Sequence, residues 1–391
     1  MRPGVPSLDR HLELASKALF AALLVAAVGG CAGPTAPTPV AATAGATTST
    51  AGLAPSLAAS PSMAATSTAA PSQQVAPTPG KSTLPSAFPA RASGGPGSLA
   101  LTVIPVRQPS ELAVLGPAVW AIAGSGLARI DIATNQVTPF DVGAGSDSLD
   151  NLAATPAAIW VADFDGSEVR KVDPASGAAV DTIAVGAAED VLPVGGAVWV
   201  TNHHEGSVTR IDAASGRVLG TVTVGQAGTG GPQQLAEGAG SVWTDESNNS
   251  TLVRMDPASG KVQARISMPP DFGDCGGILA TGTAVWVTGC HDSMDVVRID
   301  PRTNKIVADV TLDGYAQDPV EIGGKVWVAA AGFALTRELE RIDPATNRVD
   351  RKVRVDALAD DAGSAIAGGD YWVSNGTDAV LRIPLSELTA P

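Results

Sequence analysis

Cysteine, histidine and basic residues are scarce in this chain, and each scarcity excludes a class of protein. Three cysteines among 391 residues are too few for a disulfide scaffold or a cysteine-rich zinc array. Four histidines leave little room for a metal centre built from several imidazoles. The chain has 25 Lys+Arg against 39 Asp+Glu, a net charge of -14. Because nucleic acid demands a basic surface, we expect no nucleic-acid partner.

The first 30 residues have the pattern of a targeting segment. Basic residues precede an apolar run over 18–28, which is shorter than the roughly 20 apolar residues that span a bilayer. The run ends in Val-Gly-Gly-Cys at 28–31, which resembles the lipobox of bacterial lipoproteins. The resemblance implies that 1–30 is a lipoprotein signal peptide and that Cys31 receives the lipid. The protein is then exported and anchored to the cell membrane, facing the extracytoplasmic side. A plain secretory signal with a chance cysteine is the alternative.

Residues 31–97 have the composition of a tether. From residue 32 onward they are almost purely Ala, Thr, Pro, Ser and Gly. Such a stretch cannot bury enough apolar surface to offset its chain entropy, so we expect a disordered spacer. As a flexible coil, about 66 residues span on the order of 45 Å. We expect a plain spacer, and an O-glycosylated one is the alternative.

Residues 98–391 repeat a pattern seven times, with one tryptophan in each repeat. Successive tryptophans are 39 to 45 residues apart, and about ten residues after most of them comes Arg or Lys, an apolar residue and Asp. The seven tryptophans are Trp120, Trp160, Trp199, Trp243, Trp286, Trp327 and Trp372. A period near 42 is typical of propellers.

Each repeat contains four short apolar runs separated by turn residues, which predicts four antiparallel strands. In the third repeat these runs are 191–194, 197–202, 207–212 and 217–224. We therefore predict an all-β fold, a seven-bladed β-propeller of four-stranded antiparallel blades. The last repeat lacks an outer strand, whereas residues 98–106 look like an outer strand placed before the first repeat. We expect this N-terminal strand to complete the last blade and close the ring.

The aspartates of the repeat are predicted to be structural. The sequence Asp-Pro-Ala-Ser-Gly at 173–177 recurs at 256–260, and Asn takes the glycine place at Asn135, Asn304 and Asn347. Gly and Asn tolerate positive φ, and an Asp oxygen accepts backbone N–H bonds in such turns. This chemistry explains the aspartates without a catalytic role.

Cys275 and Cys290 flank the first hairpin of the fifth repeat. Because the turn lies near residues 281–283, the two positions are close to opposed across the strand pair, which favours a disulfide. An exported protein meets oxidising conditions, and closing a loop of about 15 residues contributes roughly 3 kcal/mol in the entropic model. A pair of metal ligands that act with His291 is the alternative.

One face of a propeller collects the loops that lead into the inner strands and the loops between strands two and three, and ligands usually bind there. The positions nine residues before each tryptophan lead into the inner strands, and we call them the inner-ring positions. They are Glu111, Asn151, Asp190, Gln234, Gly277, Asp318 and Gly363. The other loops add Asp163, Asp165, His203, His204, Glu205, Asp245, Glu246, His291 and Asp292. We expect these polar loops to form a solvated acidic rim. The alternative is a site for a divalent cation or a cationic ligand, which carboxylates and imidazoles together could hold.

The tryptophan-valine pattern and the Arg-Ile-Asp-Pro-Ala-Thr-Asn run at 341–347 resemble the YVTN/YncE-like propellers. They are also similar to the streptogramin (virginiamycin B) lyase family. That second resemblance implies a magnesium-dependent elimination that opens a cyclic ester. His203, His204 and His291 would then be the candidate catalytic histidines and Glu205 the acid.

No complete catalytic set stands out in the sequence, so the leading hypothesis is a monomeric, non-enzymatic scaffold or binding module. Through its axial loop face it would bind an envelope protein, a glycan or a small ligand. A metal-dependent lyase is the second hypothesis, with Mg as the divalent cation, and a purely structural envelope protein is the third.

Overall fold

The computed structural model describes residues 99–145, 148–228, 230–269, 272, 276–289, 293–331, 337–358 and 363–390. The signal segment, the tether, Cys31, the pair Cys275 and Cys290, and also His291 and Asp292, lie outside these residues. The lipidation and disulfide therefore stay predictions. Within the described ranges, no helix is both long and apolar enough to cross a membrane.

The described strands form seven separate four-stranded antiparallel sheets, one for each tryptophan repeat, which confirms the predicted seven-bladed propeller. Blades 1 and 2 contain β2 (Pro109–Leu115), β3 (Ala118–Ala123), β4 (Gly126–Asp131), β5 (Val137–Phe140), β6 (Leu149–Thr155), β7 (Ala158–Asp163), β8 (Glu168–Val172) and β9 (Ala179–Ala184). Blades 3 and 4 contain β10 (Ala188–Val194), β11 (Ala197–Asn202), β12 (Ser207–Asp212), β13 (Val218–Thr223), β14 (Leu235–Gly238), β15 (Ser241–Glu246), β16 (Thr251–Met255) and β17 (Val262–Ser267). Blades 5 and 6 contain β18 (Ile278–Ala280), β19 (Val285–Thr288), β20 (Asp295–Asp300), β21 (Lys305–Thr311), β22 (Tyr315–Ile322), β23 (Lys325–Ala331), β24 (Arg337–Asp343) and β25 (Arg348–Arg354).

Blade 7 is built from both ends of the described chain, as predicted. Its inner three strands are β26 (Ser364–Ala367), β27 (Asp370–Ser374) and β28 (Ala379–Pro384), and β1 (Thr102–Pro105) is the outermost strand. β1 pairs antiparallel with β28, with Ile104 opposite Val380, and the Ile104 side chain is fully buried. A short helix α1 (Leu385–Thr389) follows β28. The first strand thus covers an edge that would otherwise be open.

All seven tryptophans are buried between neighbouring blades, each with at most 1% of its surface exposed. Trp120 of blade 1, for example, packs in one apolar cluster with Ile159 and Val161 of blade 2. Trp372 of blade 7 packs with Leu112 and Val119 of blade 1, so the same contact closes the ring. A large flat side chain at every interface explains why the repeat keeps one tryptophan for each blade.

The basic residue of the repeat motif lies over the tryptophan of its own blade. In blades 2 to 7 the cationic group is 4.8 to 5.8 Å from the ring centroid. In blade 1 a stacked Phe140 ring takes this place, at 5.3 Å from Trp120. These contacts add cation–π attraction to the apolar core of each interface.

In blades 2, 3, 4, 5 and 7 the same basic side chain also bonds to the turn of a neighbouring blade. In blade 4, Arg254 Nη1 donates to Pro301 O at 2.5 Å and to Asn304 Oδ1 at 3.0 Å, both in blade 5. In blade 7, Arg382 Nη1 donates to the carbonyl of residue 132 at 2.6 Å and to Asn135 Oδ1 at 2.7 Å, both in blade 1. Arg382 therefore fastens the last blade to the first.

The motif aspartates are structural, as predicted. Asp173 Oδ1 accepts bonds from the N–H groups of Ala175 and Ser176 at 3.1 and 2.7 Å, and the Ser176 hydroxyl and N–H hold the Asp173 pKa below its usual value. The glycine or asparagine of each turn has positive φ, for example 71° at Gly177 and 58° at Asn135. The turn chemistry therefore accounts for these carboxylates.

Candidate functional site

Four inner strands carry the same irregularity at the end where the chain enters them. In β2, β6, β10 and β22, one extra residue interrupts the pairing with the second strand of the blade. Such a bulge turns side chains away from the regular alternation of the strand. The residues at the four bulges are Ser110 and Glu111, Asp150 and Asn151, Glu189 and Asp190, and Gln317 and Asp318.

The inner strands of all seven blades surround an axial cavity of about 480 Å³. Four of the predicted inner-ring residues line it, namely Asn151, Asp190, Gln234 and Asp318. The inner-ring glycines make room for their neighbours. A Cβ on Gly277 would lie 2.1 Å from Asp318 Oδ1, and a Cβ on Gly363 would lie 2.6 Å from the Glu111 carboxylate. The structure thus brings most of the predicted ring together around one cavity.

Asp190 is the most buried carboxylate of the cavity wall, with 5% of its surface exposed. Its Oδ2 accepts the N–H of Leu235 in blade 4 at 2.6 Å, and its Oδ1 accepts the N–H of Val191 at the same distance. Burial raises the Asp190 pKa to about 7, although the two hydrogen bonds lower it. The negative charges of Asp318 and Glu189 also raise it. Asp190 therefore exchanges a proton near neutral pH.

His203 lies at the rim of the cavity in an ion pair that sequence reasoning missed. Its Nδ1 is 2.9 Å from Glu189 Oε2. Burial lowers the His203 pKa, but the bond and charge of Glu189, with the charges of Asp245 and Asp150, outweigh burial, so the pKa is raised. Glu189 and Asp150 each stand one residue before an inner-ring position, and that placement was the signal for them.

His204 is exposed and forms an aromatic cluster with His203 and Phe164. The Phe164 centroid is 5.0 Å from that of His204 and 5.9 Å from that of His203. Phe164 comes from the corresponding loop of blade 2, so the cluster spans two blades. The three rings meet tilted or edge-on, at interplanar angles of 52° to 73°, so the cluster joins the two loops beside the acids of the rim.

Two predicted face residues are engaged elsewhere. Asp163 is buried, and its Oδ2 is 2.9 Å from both Nε and Nη2 of Arg170. Glu205 Oε2 accepts the N–H of Ala187 at 3.1 Å, in the connection between blades 2 and 3. Both carboxylates therefore stabilise loops of the face.

Asp245 supports the cavity wall from behind. Its Oδ1 accepts the N–H groups of Gln233 and Gln234 at 3.0 and 2.7 Å, which holds the inner-ring residue Gln234 in place. Burial raises the Asp245 pKa to about 8. Asp245 Oδ2 has no hydrogen-bond partner among the described residues. Asp245 also lines a second cavity of about 20 Å³, room for one water molecule.

The described residues of the face do not fit a magnesium site. The carboxylate of Glu205 is turned to a backbone N–H and His203 is paired with Glu189. In the described part of the chain, three ligand atoms come within 4.8 Å of one another only at Asp313, Glu338 and Glu340, on blade 6 and its preceding loop. Lys352 Nζ is 3.2 Å from Glu340 Oε2 and already supplies a cation there.

No model of a known protein family matches the chain, and no curated protein sequence matches it. Solved structures, by contrast, match the fold of this chain. Virginiamycin B lyase from Staphylococcus aureus is 14% identical with a TM-score of 0.63, covering 73% of this chain and 98% of the lyase. A chain of a Mitotic Checkpoint Complex is 11% identical with a TM-score of 0.60, covering 77% of this chain and 99% of the other. BamB from Moraxella catarrhalis is 14% identical with a TM-score of 0.52, covering 72% of this chain and 83% of BamB. At these identities the likenesses show the propeller fold alone, and the YVTN/YncE-like assignment stays a prediction.

Proposed function

We propose that this protein is a non-enzymatic binding propeller, exported and anchored by lipid on Cys31, that takes a small ligand into its axial cavity. One observation carries the proposal. Three bulged inner strands bring Asn151, Asp190 and Asp318 to a single cavity of about 480 Å³, where Gln234 joins them. Ligand pockets of proteins typically measure about 300–1,000 Å³ and combine apolar walls with a few polar groups that converge.

The chemistry of the face favours binding over catalysis. Of the described residues that the lyase resemblance implied, Glu205, the predicted acid, accepts a backbone N–H in the connection between blades 2 and 3. That bond gives the predicted acid a structural role. The propeller of the Mitotic Checkpoint Complex belongs to a protein assembly, which is in keeping with a binding role.

The cavity proposal is tested by filling the cavity. Val114 lines it and is 37% exposed, whereas Val180, on the outer strand of blade 2, is 60% exposed. We expect ligand-observed NMR with a fragment set of cationic, neutral and anionic compounds to find binders for the wild-type full chain. These should be lost in Val114→Trp and retained in the matched control Val180→Trp. Equal binding by both variants would place the ligand elsewhere, and an absence of binders would refute the proposal.

The anchor is tested separately. Metabolic labelling with a radioactive fatty acid should mark the wild-type chain in its bacterial membrane fraction and should fail to mark Cys31→Ser. In a bacterium with a single membrane, protease added to intact cells should digest the propeller, because it faces the outside of the cell membrane. A labelled Cys31→Ser variant would contradict the assignment of this cysteine.

A further inference from the structure

The titratable side chains that line the axial cavity are all carboxylic acids. They are Asp190 and Asp318, and the cavity lining contains no Lys, Arg or His among the described residues. At the rim stand two further acids, Glu189 and Asp150, whose charges act on His203. The one imidazole named at the rim is that of His203, whose Nδ1 lies 2.9 Å from Glu189 Oε2. The cavity mouth therefore carries more acidic than basic groups, and its potential becomes more negative as Asp190 ionises.

The wall changes character along the axis. Asp190, Asp318 and Asn151 stand at bulges and Gln234 directly precedes β14, so these polar groups all lie where the inner strands begin. Apolar side chains that are at least partly exposed follow along the inner strands, namely Val114, Leu192, Ile278, Leu279 and Val320. One end of the cavity thus attracts positive charge, and the rest offers contacts to hydrocarbon.

We propose that the ligand of this cavity is an amphiphilic cation, with an ammonium group among the inner-ring acids and an apolar body against the inner-strand walls. The inference rests on the proposed function and names the chemical class of its ligand. An ammonium group donates to Asp190 and Asp318, and to the amide oxygens of Asn151 and Gln234. An anionic head group of the same size meets repulsion at this end. The cavity volume of about 480 Å³ is large enough for a small amphiphile.

The protonation of the mouth makes binding depend on pH. Asp190 faces Asp318 from β22 and Glu189 on its own strand, and both raise its pKa, which burial brings to about 7. Glu189, Asp245 and Asp150 raise the His203 pKa against burial. As pH rises through the Asp190 pKa, Asp190 loses its proton and the mouth becomes more negative. If the cation requires ionised Asp190, its affinity rises about tenfold between pH 6 and pH 8.

The test uses n-octylammonium, octanoate and octyl glucoside, which share one apolar tail and differ in head-group charge. Calorimetric titration of the full chain, produced without lipid modification, is made at pH 6 and pH 8. We expect octylammonium to bind, more tightly at pH 8, and octanoate to fail. Asp190→Asn and Asp318→Asn should each weaken octylammonium about tenfold or more, since 1.4 kcal/mol is a factor of ten. Asp356→Asn, which neutralises a carboxylate with 72% of its side chain exposed, is the matched control and should bind as the wild type does.

The outcomes separate the two proposals. Equal binding of octanoate or octyl glucoside would overturn the cationic class and leave axial binding in place. The cationic class would also be overturned, with axial binding left in place, if no octyl compound binds while fragments bind the wild type and not Val114→Trp. If neither octyl compounds nor fragments bind, both proposals fall. Where Asp190→Asn fails to fold because Leu235 loses its acceptor, Asp318→Asn decides the matter.

Discussion

The Arg382 side chain joins the two ends of the propeller, so its removal tests how the ring is held closed. Arg382 makes two bonds to blade 1, at 2.6 and 2.7 Å, and Nη2 forms an ion pair with Asp370 at 2.6 Å. Its guanidinium lies 4.8 Å from the centroid of the Trp372 ring. Arg382→Met keeps an unbranched apolar stem over the tryptophan and removes every one of these polar contacts.

The expected cost follows from the burial of the partners. Asp370 is only 9% exposed, so the substitution leaves a nearly buried carboxylate without its cation. Breaking a buried ion pair from one side typically costs about 3–5 kcal/mol. For a domain of this size, each kcal/mol lowers the melting temperature by about 2 °C, so we expect a fall of roughly 6–10 °C.

Thermal unfolding followed by circular dichroism measures this effect, with two comparison variants. Arg254→Met removes the equivalent contact between blades 4 and 5 and should also destabilise, since Arg254 Nη1 makes two bonds across that interface. Arg302 pairs with Asp300 while 88% of its side chain is exposed, so Arg302→Met should change stability by less than about 0.5 kcal/mol. A melting temperature of Arg382→Met equal to that of Arg302→Met would refute the assignment of Arg382 as a ring-closing residue.

Three further predictions concern closure, shape and protonation. Ile104→Ala, at a fully buried position of β1, should lower the free energy of unfolding by about 2–5 kcal/mol in urea titrations, and an unchanged midpoint would contradict closure by this strand. Gly277→Ala should displace Asp318, weaken octylammonium binding and lower the melting temperature, because its Cβ would lie 2.1 Å from Oδ1 and 2.8 Å from both the Asp318 Cα and the Pro319 Cδ. Asp245 has a folded pKa raised to about 8, above its unfolded value, so the folded state binds more protons and stability falls as pH rises from about 4 to 8. Urea unfolding at pH 5 and pH 8 should show a smaller fall in Asp245→Asn, and parallel falls would argue against a buried neutral Asp245.

The local sequence was sufficient to predict most of the fold. The tryptophan period set the number of blades, and the Asp-Pro-Ala-Ser-Gly turns placed the third and fourth strands of each blade. In blade 3 the second and third strands lie at the predicted 197–202 and 207–212. The missing outer strand of the last repeat was enough to predict ring closure. These features depend on residues close together in the chain, where turn preference and side-chain periodicity act directly.

The axial site was only partly predictable, for a physical reason. Position along the strand predicted Asp190 and Asp318 at the cavity, but the single-residue bulges that bring Glu189 and Asp150 to the rim are a property of strand pairing. Standing next to an inner-ring position marks Glu189 and Asp150 in the sequence, but no pattern within one strand reveals the shift in pairing itself. The same limit applies to Asp163 and Glu205, which look like free carboxylates in sequence.

The sequence by itself determined the propeller, its closure and the ring of polar positions around the axis. Only the tertiary structure decided which of those polar groups remain turned toward the cavity. Asp163 faces the guanidinium of Arg170, whereas Asp190 is placed in the cavity wall by an N–H of the next blade, 45 residues away in the chain. The ionisation of a carboxylate depends on burial and on charges that folding brings near it. For this reason the acidic, proton-exchanging mouth of the cavity exists only in the folded ring.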